Sequence, residues 1–452
     1  MRVAFHTLGC KVNQYETQAI REQFLQDGFS EVGETECADV YVINTCTVTH
    51  LADRKSRQYI RKAKKWNPAS LVVVTGCYAQ MDPEGVAALD GVDLVCGTNE
   101  KGQIPSYVRQ MVEEPTSKGQ QHHLSWEQLS NYEEMGLVTA MEARTRAYIK
   151  IQEGCDRFCS YCIIPYARGP IRSRSPLAVV EEIKNVCNEG YQEIVLTGIN
   201  TALYGRESGF LEKNLKEWGM DSFCQEEGLM GLINTIDGLP GNFRLRLGSL
   251  EPNVVGMEEL NQLLRFKCVC HHLHFSLQSG SNGILQAMNR RYTREEYLEM
   301  VGWLHEKDPC YGITTDVIVG FPGEEESDFQ DTLSMMEEVN FLKVHIFPYS
   351  IRKGTVAGSR KDQISPEIKK ERVAALCKAA QKSQIRFLNQ SVGHRTQVVV
   401  EEKNSQGLYV GFSDEYVRVY LEEEELPLNQ RVEVVLSSLY DDGMKGKLIS
   451  SL

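Results

Sequence analysis

Residues 154–169 read GCDRFCSYCIIPYARG, with Cys155, Cys159 and Cys162 in C-x3-C-x2-C spacing directly after the apolar run AYIKIQ at 147–152. Three thiolates on one short loop suit a cubic iron–sulfur cluster whose fourth iron has no protein ligand and is open to a substrate or cofactor. A zinc ribbon ordinarily needs two C-x-x-C knuckles, and a redox dithiol needs one pair. The remaining alternative is three packed cysteines that meet the spacing by chance.

From 147 onward, apolar runs alternate with helical stretches: AYIKIQ, EIVLTG, RLRLGS, HLHFSL, ITTDVIVG and VHIFPYS. Six βα units of this kind curl into a complete or partial barrel with its active site at the carboxyl ends of the strands. The unusual residues fall at those ends: the cysteine loop, then Gly198 and Asn200, Glu251 and Pro252, Gln278 and Ser279, and finally Gly320, Pro322 and Gly323. The first hundred residues alternate in the same way (VAFH, DVYVINT, LVVVTG, VDLVCG), the signature of a parallel sheet covered by helices. Cys10, Cys46 and Cys77 each lie just beyond a strand, on the one edge that forms the ligand crevice of an open parallel sheet. They are either a second three-thiolate cluster site or three small residues buried at strand ends.

Residues 113–140 lack periodicity and read as a linker. The stretch 366–390 reads as an amphipathic helix. After it the runs TQVVVEE, GLYVGFS, YVRVYL and RVEVVLSSL predict a small all-β barrel. Residues 205–228 interrupt the second βα unit as an insertion.

At 452 residues the chain accommodates about three domains. It contains no apolar run of about 18 residues and no basic segment followed by an apolar one at its start, which predicts a cytoplasmic protein without membrane association. Fourteen cysteines without a secretion signal point to metal sites rather than disulfides. The net charge of −13 argues against nucleic acid overall, yet DRKSRQYIRKAKK at 53–65 carries seven basic residues and one acidic one. Arg54, Lys55, Arg57, Arg61, Lys62, Lys64 and Lys65 on that stretch, with Arg168, Arg172 and Arg174 beside the cysteine loop, are candidates for a phosphate backbone; a solvated helix face is the alternative for the former set.

The cysteine loop, with an aromatic residue before its last cysteine, resembles the radical S-adenosylmethionine (SAM) enzymes. The combination LGCKVNQYE, NTCTVT, VVTGCYAQ, the cysteine block, LHFSLQSGS, TDVIVGFPGE and FPYS-x-R-x-GT is similar to the methylthiotransferases of that superfamily over nearly the whole chain. The resemblance implies an α/β chain: a Rossmann-like domain at 1–112, the linker, a partial (β/α)6 radical barrel at 141–380, and a TRAM β-barrel at 381–452. It also implies two 4Fe-4S clusters. Cys155, Cys159 and Cys162 would hold the one that cleaves SAM to a 5′-deoxyadenosyl radical, and Cys10, Cys46 and Cys77 would hold an auxiliary cluster that carries the sulfur.

By the same resemblance, Gly198 and Asn200 meet the amino group of SAM or form a plain turn. Gln278, Ser279 and Asp316 contact its ribose and methionine parts or are layer residues of the barrel. Gly320 and Pro322 let backbone approach adenine, and Glu251 joins this cofactor-facing set. Cys96, a departure from the family pattern, is a fourth auxiliary ligand or a packed thiol. The second is favoured, because a closed cluster leaves no iron for sulfur. LGCKVNQYE with NTCTVT is most similar to the branch that methylthiolates carbon 2 of N6-threonylcarbamoyladenosine at position 37 of tRNA. The other branches modify isopentenyladenosine in tRNA or an aspartate of a ribosomal protein. An iron–sulfur RNA-binding protein without turnover is disfavoured by the retention of both cysteine sets. Expected partners are tRNA, an electron donor of flavodoxin type or another reductase, and a sulfur source.

Overall fold

The computed structural model describes residues 1–114, 119–136, 138, 145–218 and 228–451. The chain divides into two compact units: 1–138 with 150–182 and 350–358, and 139–149 with 183–349 and 359–452.

The first unit is built on a parallel sheet. Strands β1 (Arg2–Thr7), β2 (Ser30–Glu31), β3 (Val40–Thr45), β4 (Leu71–Gly76), β5 (Leu94–Cys96) and β6 (Gln120–His122) lie in the order β2-β1-β3-β4-β5-β6. Every residue of β3 is buried, as expected where helices cover both faces of a parallel sheet. Helix α1 (Lys11–Gln26) follows β1, and α2 (His50–Trp66) follows β3. Thr49 caps α2 by accepting from the Ala52 N–H. Tyr59, Ile60 and Ala63 on its inner face pack with Tyr41, Ile43, Val72 and Val74 of the sheet. Strand β6 lies within the stretch read as a linker. Its sequence, QQH, is a polar edge strand without the apolar alternation that marks the others. Residues 115–118, 137, 139 and 140 of that stretch lie outside the described residues.

The second unit carries two parallel sheets and a closed barrel. Arg146–Lys150, Glu193–Thr197 and Arg244–Leu247 form one sheet, with Lys150 itself counted in the first unit; Ser249–Leu250, His272–Phe275, Gly312–Val319 and Lys343–Pro348 form the next. A parallel bridge from Leu245 to Val269 continues the pairing between them. Within the second sheet the fully buried Leu273, Phe275, Ile313, Thr315 and Val317 alternate with less buried His274 and Asp316.

After the helix Pro366–Gln390, capped by Ser365, five strands close a barrel around Val398, Val400, Val419, Leu421, Val434 and Met444. The fifth, Gly443–Ser451, is one more than the apolar runs predict, because Lys445, Lys447 and Ser450 make it read as polar. An ionic core joins this barrel to the parallel sheets of the same unit. Glu193 accepts from Arg244 Nε at 2.8 Å and Arg246 Nε at 2.7 Å, while the other guanidinium nitrogens of both arginines donate to the Gln397, Phe412, Ser413 and Asp414 backbone carbonyls. Of the insertion at 205–228, residues 219–227 lie outside the described residues. Among the described residues no helix is long and apolar enough to cross a membrane.

Candidate active site

Because the first sheet is parallel, β1, β3 and β4 end on one edge, and Cys10, Cys46 and Cys77 follow those ends. Asn13, in the first turn of α1, donates through Nδ2 to the Leu8 carbonyl (2.7 Å) and the Thr45 carbonyl (3.1 Å), so one side chain ties together the approaches to Cys10 and Cys46. The loops touch at Gly9, where a Cβ would lie 2.8 Å from Cys46 Cβ and 3.1 Å from its Sγ. Gly76, immediately before Cys77, has φ +96° and would place a Cβ 2.3 Å from the Thr45 carbonyl oxygen. Cys46 and Cys77 are buried and Cys10 is exposed, so the trio opens to solvent on one side.

Burial, then the neighbouring Cys77 and Cys10 thiols, push Cys46 up to about 12. Burial also raises Cys77, against the pull of Arg168. Cys46 and Cys77 therefore become thiolates at neutral pH only in exchange for a cation. A single tetrahedral zinc would hold its thiolates about 3.8 Å apart, given a Zn–S bond of about 2.3 Å. Three soft thiolate donors without a fourth protein ligand fit an iron–sulfur group with one open iron.

The second trio lies in the same unit. Its loop is closed by Cys155 N–H donating to the Gly169 carbonyl (3.0 Å) and Cys162 N–H donating to the Cys159 carbonyl (2.9 Å). The residue before Gly169 reaches the first trio: Arg168, fully buried, donates from Nε to Cys77 Sγ at 3.2 Å. Its Nη1 donates to Glu16 (2.6 Å) and Glu153 (2.8 Å), and its Nη2 to Asn13. A second strap is the loop Ser350–Gly358. Arg352 donates to Thr47 (2.8 Å) and Asp53 (2.7 Å) beside Cys46, and the Ala357 N–H donates to the Ser160 carbonyl (2.8 Å) beside Cys159. Cys96, at the end of β5, is fully buried, and burial followed by Glu100 and Glu133 raises its thiol strongly.

In the second unit the strand ends gather the remaining candidates. Asn200 Nδ2 donates to Glu251 at 2.8 Å, and Arg290 pairs with the same carboxylate at 3.3 Å. Gln278 sits at φ +65° and exchanges backbone hydrogen bonds with Asp316 (2.8 Å) and Ile318 (2.9 Å). The Gly320 N–H donates to Glu324 at 2.6 Å, fixing the turn that contains buried Pro322. His274 Nε2 lies 3.2 Å from Asp316, whose strand neighbour is His345.

Residues 2–97 match the Uncharacterized protein family UPF0004, and residues 149–336 match the Radical SAM superfamily. The threonylcarbamoyladenosine tRNA methylthiotransferase MtaB of Bacillus subtilis is 39% identical over 436 residues, 96% of this chain and 93% of that protein. The chain belongs to the radical SAM methylthiotransferases.

MtaB of Aquifex aeolicus is likewise 39% identical, over 89% of this methylthiotransferase and 94% of its own length. A tRNA-2-methylthio-N(6)-dimethylallyladenosine synthase of Pelotomaculum thermopropionicum is 33% identical over 88% and 86%. The fold is shared with the radical S-adenosylmethionine methyltransferase TsrM from Kitasatospora setae, solved with cobalamin and a [4Fe-4S] cluster, at TM-score 0.54 and 14% identity over 79% of this chain and 77% of that one. Membership brings an iron–sulfur cluster and SAM to the methylthiotransferase as its cofactors.

Two expectations need correction. Arg168, Arg172 and Arg174 are 0%, 2% and 1% exposed, and Arg174 is held by Glu134, Glu182 and Tyr15, so no phosphate backbone reaches any of them. Ser279 is fully buried with its hydroxyl turned to Thr332 and the Ser281 N–H, which leaves it no surface for SAM. The expected basic helix divides: Lys64 pairs with Asp93 and Arg57 lies against Tyr78, while Arg54, Lys55, Arg61, Lys62 and Lys65 are exposed. Sequence reading missed the buried ions Glu16, Lys101, Lys150 and Glu153 of the methylthiotransferase. The available signal was polar Asn13 and Glu16 at i, i+3 spacing on the helix that follows Cys10.

Proposed function

We propose that this methylthiotransferase acts on tRNA, inserting a methylthio group at carbon 2 of N6-threonylcarbamoyladenosine at position 37. Relatives named for threonylcarbamoyladenosine reach 39% identity, against 33–35% for the first two named for dimethylallyladenosine, and this difference carries the choice of nucleoside. Carbon 2 bears a C–H bond without useful acidity, so a positioned acid or base offers no route and a radical is required. When bound, the iron–sulfur groups supply the reducing electron for SAM and the sulfur for the product.

The chain's own residues hold and orient. In this reading Cys155, Cys159 and Cys162 bind the 4Fe-4S cluster that meets SAM, and Cys10, Cys46 and Cys77 bind a second, whose open side is the exposed edge at Cys10. Gly198, Asn200, Glu251, Gln278, Asp316, Gly320 and Pro322 form the SAM cradle, in which Arg290 and Asn200 keep the Glu251 carboxylate oriented. Arg54, Lys55, Arg61, Lys62 and Lys65 draw the tRNA backbone. Residues 1–112 then serve the sulfur, 141–380 the radical and 381–452 the RNA, with a flavodoxin-type or other reductase and a sulfur donor as partners.

The test is anaerobic reconstitution with SAM, reductant and tRNA, followed by mass spectrometry of the digested nucleosides. A methylthio product on threonylcarbamoyladenosine supports the reading; product on isopentenyladenosine alone overturns it. Iron stoichiometry tests the clusters: about eight irons per chain, falling to about four when Cys10, Cys46 and Cys77 are changed to Ala.

A further inference from the structure

Behind Cys77 the first unit buries an ion cluster whose charges do not cancel. Arg168, Lys101 and Lys150 are its cations, and they are 0%, 0% and 3% exposed. Glu16 and Glu153 are its buried carboxylates. Glu16 takes Arg168, Lys150 (2.8 Å) and Lys101, while Glu153 takes Arg168 and Lys150. Half-buried Glu133, which accepts from the Gly102 N–H at 2.8 Å, and buried Arg172 lie in electrostatic range of the cluster and are opposite in charge. Among the described residues three ion-paired cations thus face two carboxylates. Arginine does not discard its proton in a protein, and an uncompensated buried charge is costly, so the cluster calls for one more anion. Outside the ion cluster Arg168 donates to Asn13 and, from Nε, to Cys77 Sγ at 3.2 Å.

We infer that Arg168, backed by this surplus of positive charge, is the fixed counter-charge of the iron–sulfur group held by Cys10, Cys46 and Cys77, and that it raises that group's reduction potential. The inference rests on the two-cluster reading above. A cubane bound by three thiolates is a net anion and becomes more negative on taking up an electron. A fixed cation and an N–H···S hydrogen bond both favour the reduced form, since net charge and hydrogen bonds to sulfur are among the levers that set cluster potentials. Arg168 is a positioning residue: it acts through Cys77 and touches no substrate. Its neighbour Gly169 anchors Cys155, so one dipeptide fixes the geometry of one cysteine loop and the electrostatics of the other.

The test uses the full-length chain carrying Cys155→Ala, Cys159→Ala and Cys162→Ala, reconstituted with iron and sulfide, and reads the midpoint potential by EPR-monitored redox titration. Arg168→Gln removes the charge and the bond to sulfur. The reduced-to-oxidised ratio at fixed potential should fall at least tenfold, about 59 mV for one electron. Glu153→Gln enlarges the positive surplus, and the potential should rise. Arg168→Lys keeps the charge without the planar fork and should shift less than Arg168→Gln.

Opposite signs for the Arg168→Gln and Glu153→Gln shifts are something a purely structural role does not produce. Shifts of the same sign, or none, overturn the inference and leave the two-cluster reading intact. A parent chain with no EPR-active cluster overturns both. If Arg168→Gln does not load iron, Glu153→Gln decides: a potential that does not rise refutes the role.

Discussion

On the two-cluster reading proposed above, changing Gly76 to alanine should cost the protein the iron–sulfur cluster held by Cys10, Cys46 and Cys77 while sparing the other. Gly76 ends β4 at φ +96° and ψ −166°, a region essentially reserved for glycine, where a side chain brings about 1–3 kcal/mol of backbone strain. The added Cβ would lie 2.3 Å from the Thr45 carbonyl oxygen, 2.5 Å from Asn44 Oδ1 and 2.7 Å from the Thr45 nitrogen, all at the end of β3. An ordinary contact begins at 3.4 Å, so the ends of β3 and β4 must part by about 1.1 Å, the difference between 3.4 and 2.3 Å. Cys46 and Cys77 are the next residues on those two strands and move apart with them. Metal–ligand geometry tolerates about 0.2 Å.

The assay is iron content per chain after anaerobic reconstitution, with the visible absorbance of the clusters alongside. Iron should fall from about eight to about four, one cubane's worth. Gly302→Ala is the control, since its Cβ would meet nothing within 4 Å; it should leave iron unchanged and stabilise its helix by about 0.5–1 kcal/mol. Full iron and unaltered EPR signals in Gly76→Ala would refute the claim that the β3–β4 edge sets the cysteine spacing.

Three further outcomes follow from the same structure. Glu193→Gln leaves Arg244 and Arg246 without their shared carboxylate and should destabilise the second unit by about 3–5 kcal/mol. Those arginines hold the Glu193 pKa far below the carboxylate range, although burial opposes them, so its contribution is complete above about pH 5 and fades on acidification; chemical denaturation of wild type and variant should converge at low pH. Hydrogen bonding with Cys310 and then Glu415 pushes His394 up to about 10 against burial. This raised value stabilises the β-barrel fully below the ordinary histidine range near pH 6.5 and is lost as pH climbs through 10, so His394→Gln should flatten the alkaline limb of a melting profile. Glutamates at Arg54, Lys55, Arg61 and Lys62 should weaken tRNA binding and flatten its salt dependence by about one unit of slope for each phosphate no longer neutralised, with the melting temperature unchanged.

Much of the fold is legible because parallel sheets advertise themselves. VYVINT and LVVVTG are continuous apolar runs only because helices cover both of their faces, and the cysteines behind them mark the edge where such sheets bind ligands. Strands without that burial leave no such mark: QQH at 120–122 is an edge strand, and GMKGKLISS at 443–451 interleaves lysines with its inward residues. The arginines of ARGPIRSR misled for a related reason. A basic run reads as surface unless its counter-charges are visible, and those of Arg168 and Arg174 come from Glu16, 152 residues away in sequence, and from Glu134 and Glu182. Sequence spacing proposes which residues ligate; it does not record which buried ions stand behind them.

In the proposed reaction a radical formed from SAM removes hydrogen from carbon 2 of the modified adenosine and sulfur takes its place. Mass spectrometry on a reaction with threonylcarbamoyladenosine tRNA deuterated at carbon 2 addresses it directly. The account predicts deuterium in 5′-deoxyadenosine together with a methylthio group at carbon 2 of the digested nucleoside. Deuterium retained on the nucleoside, with no transfer to 5′-deoxyadenosine, would contradict it.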